Sequence, residues 1–95
     1  MILSQKGYFM SDQEFIQIGP SSLCARKKMV ALASPDSAPV RRVIQEARDR
    51  KMLLDASAGR KTRSVILMES NHVILSAYEI DVLAAMLGMQ ESPEE

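Results

Sequence analysis

Two short runs of basic residues, Arg26-Lys27-Lys28 and Arg60-Lys61-Thr62-Arg63, are the most distinctive chemistry in the 95-residue chain. Neither has an acid close by in sequence: none lies between Glu14 and Asp36, and none between Asp55 and Glu69. Lysine and arginine at this density bind phosphate oxygens, arginine through a planar fork and lysine as a point charge. Each run flanks a strand-like segment beside a loop, where a sheet fixes the backbone while long side chains reach outward. A purely structural alternative is that these residues guard strand edges against edge-to-edge pairing.

Residues suited to catalysis are scarce. His72 is the single histidine and sits beside a turn, and Cys24 is the single cysteine, so neither has the convergent partners that a nucleophile, acid/base pair or metal site needs. Ser21, Ser22 and the serines around Pro35 read as turn and cap residues, and Gly59-Arg60-Lys61-Thr62 lacks the earlier glycine of a phosphate loop. The sequence therefore predicts no catalytic site, no metal and no cofactor, and a protein that is not an enzyme; it identifies no small-molecule ligand. The few aromatics, Tyr8, Phe9, Phe15 and Tyr78, lie outside both basic runs, so the stacking platforms of single-strand and RNA binders are missing and duplex DNA is the better polyanion.

The net charge of zero conceals a segregation. From Arg26 to Arg63 there are eleven basic residues against four acidic ones, a net of +7, while the flanks hold Lys6 against eight acids, a net of −7. Such a block fits a polyanion partner, or copies of the chain whose basic and acidic parts are complementary. One cysteine and no signal-like start predict a reducing cytoplasm, and no apolar run approaches the length of a membrane span.

Phe15-Ile16-Gln17-Ile18 reads as a strand that stops at Gly19-Pro20, and Met29–Ala33 as a buried second strand. Ser34-Pro35-Asp36-Ser37-Ala38-Pro39 combines cap residues with prolines that fit a helix's first turn. Val40, Val43, Ile44 and Ala47 then supply one apolar face, and the helix is expected to run to about Lys51. Its polar side pairs Arg42 with Glu46 and Glu46 with Arg50 at i,i+4, a salt-bridged and solvated face. Leu53-Leu54 makes a short strand, Ala56–Lys61 a loop, and Arg63–Met68 and His72–Tyr78 a hairpin about Glu69-Ser70-Asn71. A terminal amphipathic helix is expected from Glu79 to Gln90, with Ile80, Leu83, Ala84 and Leu87 on its apolar side. The fold class is α+β: a small, mostly antiparallel sheet with one central and one C-terminal helix. Residues 1–13 form a flexible leader, 14–90 the folded domain and 91–95 a disordered acidic tail. Two modest helices cannot cover a sheet apolar on both faces, so further copies of the chain are expected to cover the rest.

Six ordered blocks carry a resemblance: Phe15-Ile16-Gln17-Ile18-Gly19, Ser34–Pro39, Ile44–Arg50, Leu54-Asp55-Ala56, Gly59–Arg63 and His72–Ala77. Over about Phe15 to Ala77 the chain resembles the RemA family of bacterial extracellular-matrix regulatory proteins. The resemblance implies a cytoplasmic, nucleoid-associated DNA-binding activator of biofilm-matrix and osmoprotection genes. It also implies a closed heptameric or octameric ring that contacts and bends duplex DNA along its rim. Matched by position, the family's DNA-contacting arginines fall on Lys28, Arg60 and Lys61, with Arg26, Lys27 and Arg63 in support. Lysine at two of the three keeps the charge but loses the fork that reads guanine bidentately. Lys51 stands where the family has a helix-ending glycine, and Met1 to Phe9 has no family counterpart, which makes Met10 a candidate start. An RNA-binding ring and a purely structural self-assembling protein are the alternatives.

Overall fold

Residues 15–88 are described by the computed structural model; the leader at 1–13 and the tail at 91–95 lie outside them. Phe15–Gly19 forms β1, whose side chains alternate outward and inward as an extended chain must. It pairs antiparallel with β2, Ser22–Ala25, placing Ile16 opposite Cys24. A single 3₁₀ turn, Arg26–Lys28, leads into β3, Met29–Ala33. Helix α1 spans Ala38–Asp49, with the Ser37 hydroxyl accepting the Val40 N–H at 3.2 Å and Pro39 in the first turn, where its missing donor costs nothing.

The chain continues as β4 (Leu53–Asp55), β5 (Ser64–Met68), β6 (Val73–Ser76) and α2 (Ile80–Met86). Strands β3, β5, β6 and β4 form one sheet in that order. The β3–β5 and β5–β6 pairs are antiparallel and β6–β4 is parallel. The parallel pair follows from α1, which carries the chain back across the sheet so that β4 starts at the same end as β3. The α+β class holds, with antiparallel pairs predominating.

Alternation along β5 and β6 divides the core into two layers. Val65, Val73 and Leu75 meet Ala47, Val40, Val43 and Ile44 of α1 on one face. Ile66 and Ile74 meet Ile16, Ile18, Cys24 and Leu83 on the other, where the β1–β2 hairpin and α2 lie. The Ser76 hydroxyl donates to the Ile18 carbonyl at 2.6 Å and ties the hairpin to β6. Gly19 lets it approach closely: a Cβ there would stand 2.5 Å from the Ala56 carbonyl oxygen.

Three details differ from the sequence reading. Ser22–Ala25 is a strand, because pairing with β1 supplies the hydrogen bonds that its polar neighbours do not suggest. Met29–Ala33 is an edge strand and not a buried one, with Val30 67% exposed. Helix α2 ends at Met86 and caps at Leu87, followed by Gly88 in the left-handed region at φ 79°, and residues 89–90 of the expected helix lie outside the described residues. The hairpin turn is as expected: the Asn71 N–H reaches the Met68 carbonyl at 2.9 Å, and Asn71 takes the left-handed position of a three-residue loop.

Helix α1 ends in a Schellman arrangement, with Lys51 N–H on the Arg48 carbonyl at 3.1 Å and Met52 N–H on the Ala47 carbonyl at 2.8 Å. This puts Lys51 at φ 61°, so the geometry suited to glycine is kept with a side chain in place. A left-handed residue with a Cβ costs about 1 kcal/mol. Lys51→Gly is therefore expected to stabilise the chain by up to about 1 kcal/mol, read as a higher urea midpoint at unchanged slope; an equal or lower midpoint would show that the cap carries no strain.

Candidate functional site

The segment between β4 and β5 is held at both ends by β6. Ala56 N–H donates to the Leu75 carbonyl and Arg63 N–H to the Ser76 carbonyl, each at 2.8 Å. Inside it, the Asp55 carboxylate accepts the Ser57 N–H at 2.9 Å and the Ser57 hydroxyl at 2.6 Å. The side-chain bond first, and then the backbone one, hold the Asp55 carboxyl below the usual carboxylate range. Ser57 in turn accepts the Arg60 N–H at 3.1 Å across Ala58 and Gly59, both left-handed at φ 57° and 80°. That pair of positive angles makes a type I′ turn. The tip so built exposes Arg60 and Lys61, which take part in no ion pair among the described residues. Arg63 pairs with Glu79 at 3.3 Å.

The other run forms the 3₁₀ turn before β3. Arg26 is half-buried, and its Nη2 donates at 2.7 Å to the carbonyl of Leu87, at the C-terminal end of α2 where helix carbonyls lack partners and the dipole favours a cation. It caps α2. Lys28 pairs with Glu69 at 3.4 Å, both side chains 65% exposed, and the Glu69 N–H donates to the Lys28 carbonyl at 2.7 Å. Lys27 is exposed and takes part in no ion pair among the described residues. The apparent lack of neutralising acids is thus corrected for three of the six residues: Glu69, Glu79 and a helix terminus reach them from distant parts of the chain.

The two runs do not converge within one chain. Register places Met29 opposite Met68 and Ala33 opposite Val65, so Lys28 stands at the end of the sheet where β5 finishes, whereas Arg60, Lys61 and Arg63 precede its start. Five strand residues separate these ends, roughly 17 Å. Helix α1 runs from the Arg60 end back to the Lys28 end. On it the expected Arg42–Glu46 and Glu46–Arg50 ion pairs are absent among the described residues. Gln45 Nε2 instead donates to Asp49 Oδ1 at 3.1 Å, and Arg48 Nη1 to Gln45 Oε1 at 3.3 Å.

Other reactive groups stand apart. Cys24 is buried, which pushes its thiol pKa up, and its Sγ lies 3.5 Å from Met68 Sδ. His72 Nδ1 lies 2.7 Å from the Ser70 hydroxyl on the β5–β6 turn. Among the described residues there is no cluster of three His, Cys, Asp or Glu fit to hold a metal, and no helix long and apolar enough to cross a membrane. An open cleft of about 440 Å³ lies between the hairpin and β4, with Leu23 and Leu54 exposed along it.

A family model described as RemA-like, extracellular matrix regulatory protein A-like, matches residues 15–87. A protein of Carboxydothermus hydrogenoformans carrying a regulatory-protein name is 46% identical over 82 residues, covering 86% of this chain and 94% of its own. One of Heliobacterium modesticaldum, similarly named, is 49% identical over 81 residues, covering 85% and 89%. One of Bacillus pumilus is 46% identical over 78 residues, covering 82% and 88%.

Asp55 ionises more readily in the folded chain than in an unfolded one. Its contribution is therefore complete above the ordinary carboxylate pKa of about 3.9 and disappears as pH falls through the lower folded value. Ser57→Ala should lower the urea midpoint more at about pH 7 than at about pH 2.5. Equal losses at both would assign the effect to packing of the serine and not to the carboxylate that orders the Arg60 turn.

Proposed function

The chain belongs to the RemA-like family, and from that premise we propose that it is a DNA-binding transcriptional regulator of the biofilm-matrix-activator kind. It acts in the cytoplasm as a ring-shaped homo-oligomer that contacts and bends duplex DNA, with no catalytic step and no cofactor. The observation that carries this reading is the stapled loop after β4, whose tip exposes Arg60 and Lys61 without an internal ion pair. A loop fixed at both ends presents its cations with little ordering left to do on binding, which favours contact with the regular phosphates of a duplex.

Lys28 adds a second contact. Its partner Glu69 is as exposed as it is, so their pairing is worth about 0–1 kcal/mol and yields to a phosphate. Because Lys28 and Arg60 stand at opposite ends of one sheet, a duplex that touches both lies along the length of that sheet or spans two copies. Lysine at 28 and 61 favours backbone contact, so sequence preference comes mainly from DNA shape and deformability.

Self-association has its own support in the open edges of the sheet. Val30 on β3 and Leu54 on β4 are exposed apolar residues on opposite edges. Contact of one edge with the other in the next copy is heterologous, and closes to a ring when the rotation per subunit divides the circle. Many copies on one duplex then supply the affinity that a few phosphate contacts per chain lack.

Binding to a long duplex measured across salt concentrations, with oligomer mass followed in parallel, tests both parts. Tight binding that falls steeply with salt at constant mass is expected. Matched RNA duplexes and single strands should compete poorly, and loss of the oligomer with rising salt would point to a charge-held assembly instead. Arg60→Ala is expected to weaken duplex binding and lower the salt slope by about one for each chain in contact, with mass unchanged. Retained affinity at the wild-type slope would remove Arg60 from the interface.

A further inference from the structure

Helix α1 carries a net cationic charge, and among the described residues no ion pair offsets it. From Ala38 to Lys51 five basic residues stand against Glu46 and Asp49, and all seven are exposed. Lysines and arginines in the last turn are favoured by the negative end of the helix dipole, which accounts for those at the C-terminal side. Arg41 lies near the positive end, and the first turn contains no acid to offset it. Among the described residues the ion pairs are Lys28–Glu69 and Arg63–Glu79, so none forms on α1.

Gln45 donates to Asp49 at 3.1 Å and accepts from Arg48 at 3.3 Å, which lays the Arg48 guanidinium along the helix. Arg41, Gln45 and Arg48 fall at i, i+4 and i+7 and share one outward stripe. Seven residues of helix separate the arginines by about 10 Å along its axis. Both side chains are long, so the pair can engage separate phosphates of one DNA strand, whose charges are regularly spaced.

We infer that the outer face of α1, through Arg41 and Arg48, is a further phosphate-binding surface linking the Arg60–Lys61 end of the sheet to the Lys28 end. It deepens the duplex-DNA reading and rests on it. The arginine pair contacts the sugar-phosphate backbone without reading base edges, and turns two separated contacts into one track along the chain.

The test compares four proteins on one long duplex over a range of salt: the unaltered chain, Arg41→Ala/Arg48→Ala, Arg41→Lys/Arg48→Lys and Arg60→Ala/Lys61→Ala. Circular dichroism confirms that each is folded, alanine being a strong helix former. The α1 alanine pair is expected to weaken binding and lower the salt slope by about two for each chain in contact. The lysine pair, which keeps the charge, should retain the slope. If the unaltered protein binds and the loop variant loses slope while the α1 alanine pair matches the unaltered chain, the α1 surface is overturned and the DNA reading survives. If the unaltered protein fails to bind at low salt, the DNA reading falls and takes the α1 surface with it.

Discussion

Burial of β5 and β6 on both faces is the constraint from which the rest of the molecule follows. All four residues of β6 are buried, as are Ser64, Val65 and Ile66 of β5. Side chains of alternate residues point in opposite directions, so one apolar run must satisfy two covering layers, α1 on one side and the hairpin with α2 on the other. No charge can then sit on the central strands, and the lysines, arginines and carboxylates among the described residues are driven to the strand ends, the outer helix faces and the turns. The same strand fixes those turns: the backbone bonds of Ala56, Arg63 and Val73 tie the β4–β5 loop and the end of α1 to the frame of the sheet. The basic loop is thus positioned by a strand that contributes no chemistry of its own. Among the described residues one cost of this burial is visible, since the Ser64 hydroxyl is enclosed without a partner while Ser76, its register neighbour, is satisfied by Ile18.

What the sequence made legible was local. The proline and serine cap before α1, the 3.6-residue spacing of Val40, Val43, Ile44 and Ala47, and the short turn between two apolar runs each encode their element within about ten residues, and each element formed. What stayed hidden depends on contacts between distant segments. Ser22–Ala25 becomes a strand through pairing with Phe15–Gly19, and Met29–Ala33 is half exposed because it ends the sheet and not because of its composition. Lys51 shows both levels at once: the backbone took the left-handed turn that stops the helix, although the residue type there gives no sign of it.

The basic residues divide along the same line. In sequence all six in the two runs look alike, since no acid is near in the chain. In space Arg26 closes the carbonyl end of α2, Lys28 and Arg63 meet Glu69 and Glu79, and Lys27, Arg60 and Lys61 face solvent. The reverse occurred on α1, where i,i+4 spacing suggested Arg42–Glu46 and Glu46–Arg50 pairs, whereas the side-chain bonds found there join Gln45 to Asp49 and to Arg48. Sequence distance is therefore a poor guide to which cations are available, because a carboxylate forty residues away can be the nearest neighbour across one strand pair.

The exposed ion pairs also bear on how one chain could both assemble and bind a polyanion. A middle segment with a net charge of +7 would repel its own copies, and Glu69 and Glu79 offset part of that charge while staying exposed. Lys28–Glu69 and Arg63–Glu79 are solvent-screened pairs worth about 0–1 kcal/mol each, too weak to lock either cation away from a stronger anion. On the proposed reading, a duplex brings a denser line of charge than two isolated carboxylates can, and the lysine and arginine exchange partners with no change in backbone. Arg26 differs in kind: it is half-buried and bonded to a helix terminus, so moving it would uncover the end of α2. Residues of one basic run thus serve separate ends, one holding the helix that covers the sheet and its neighbours remaining free to exchange.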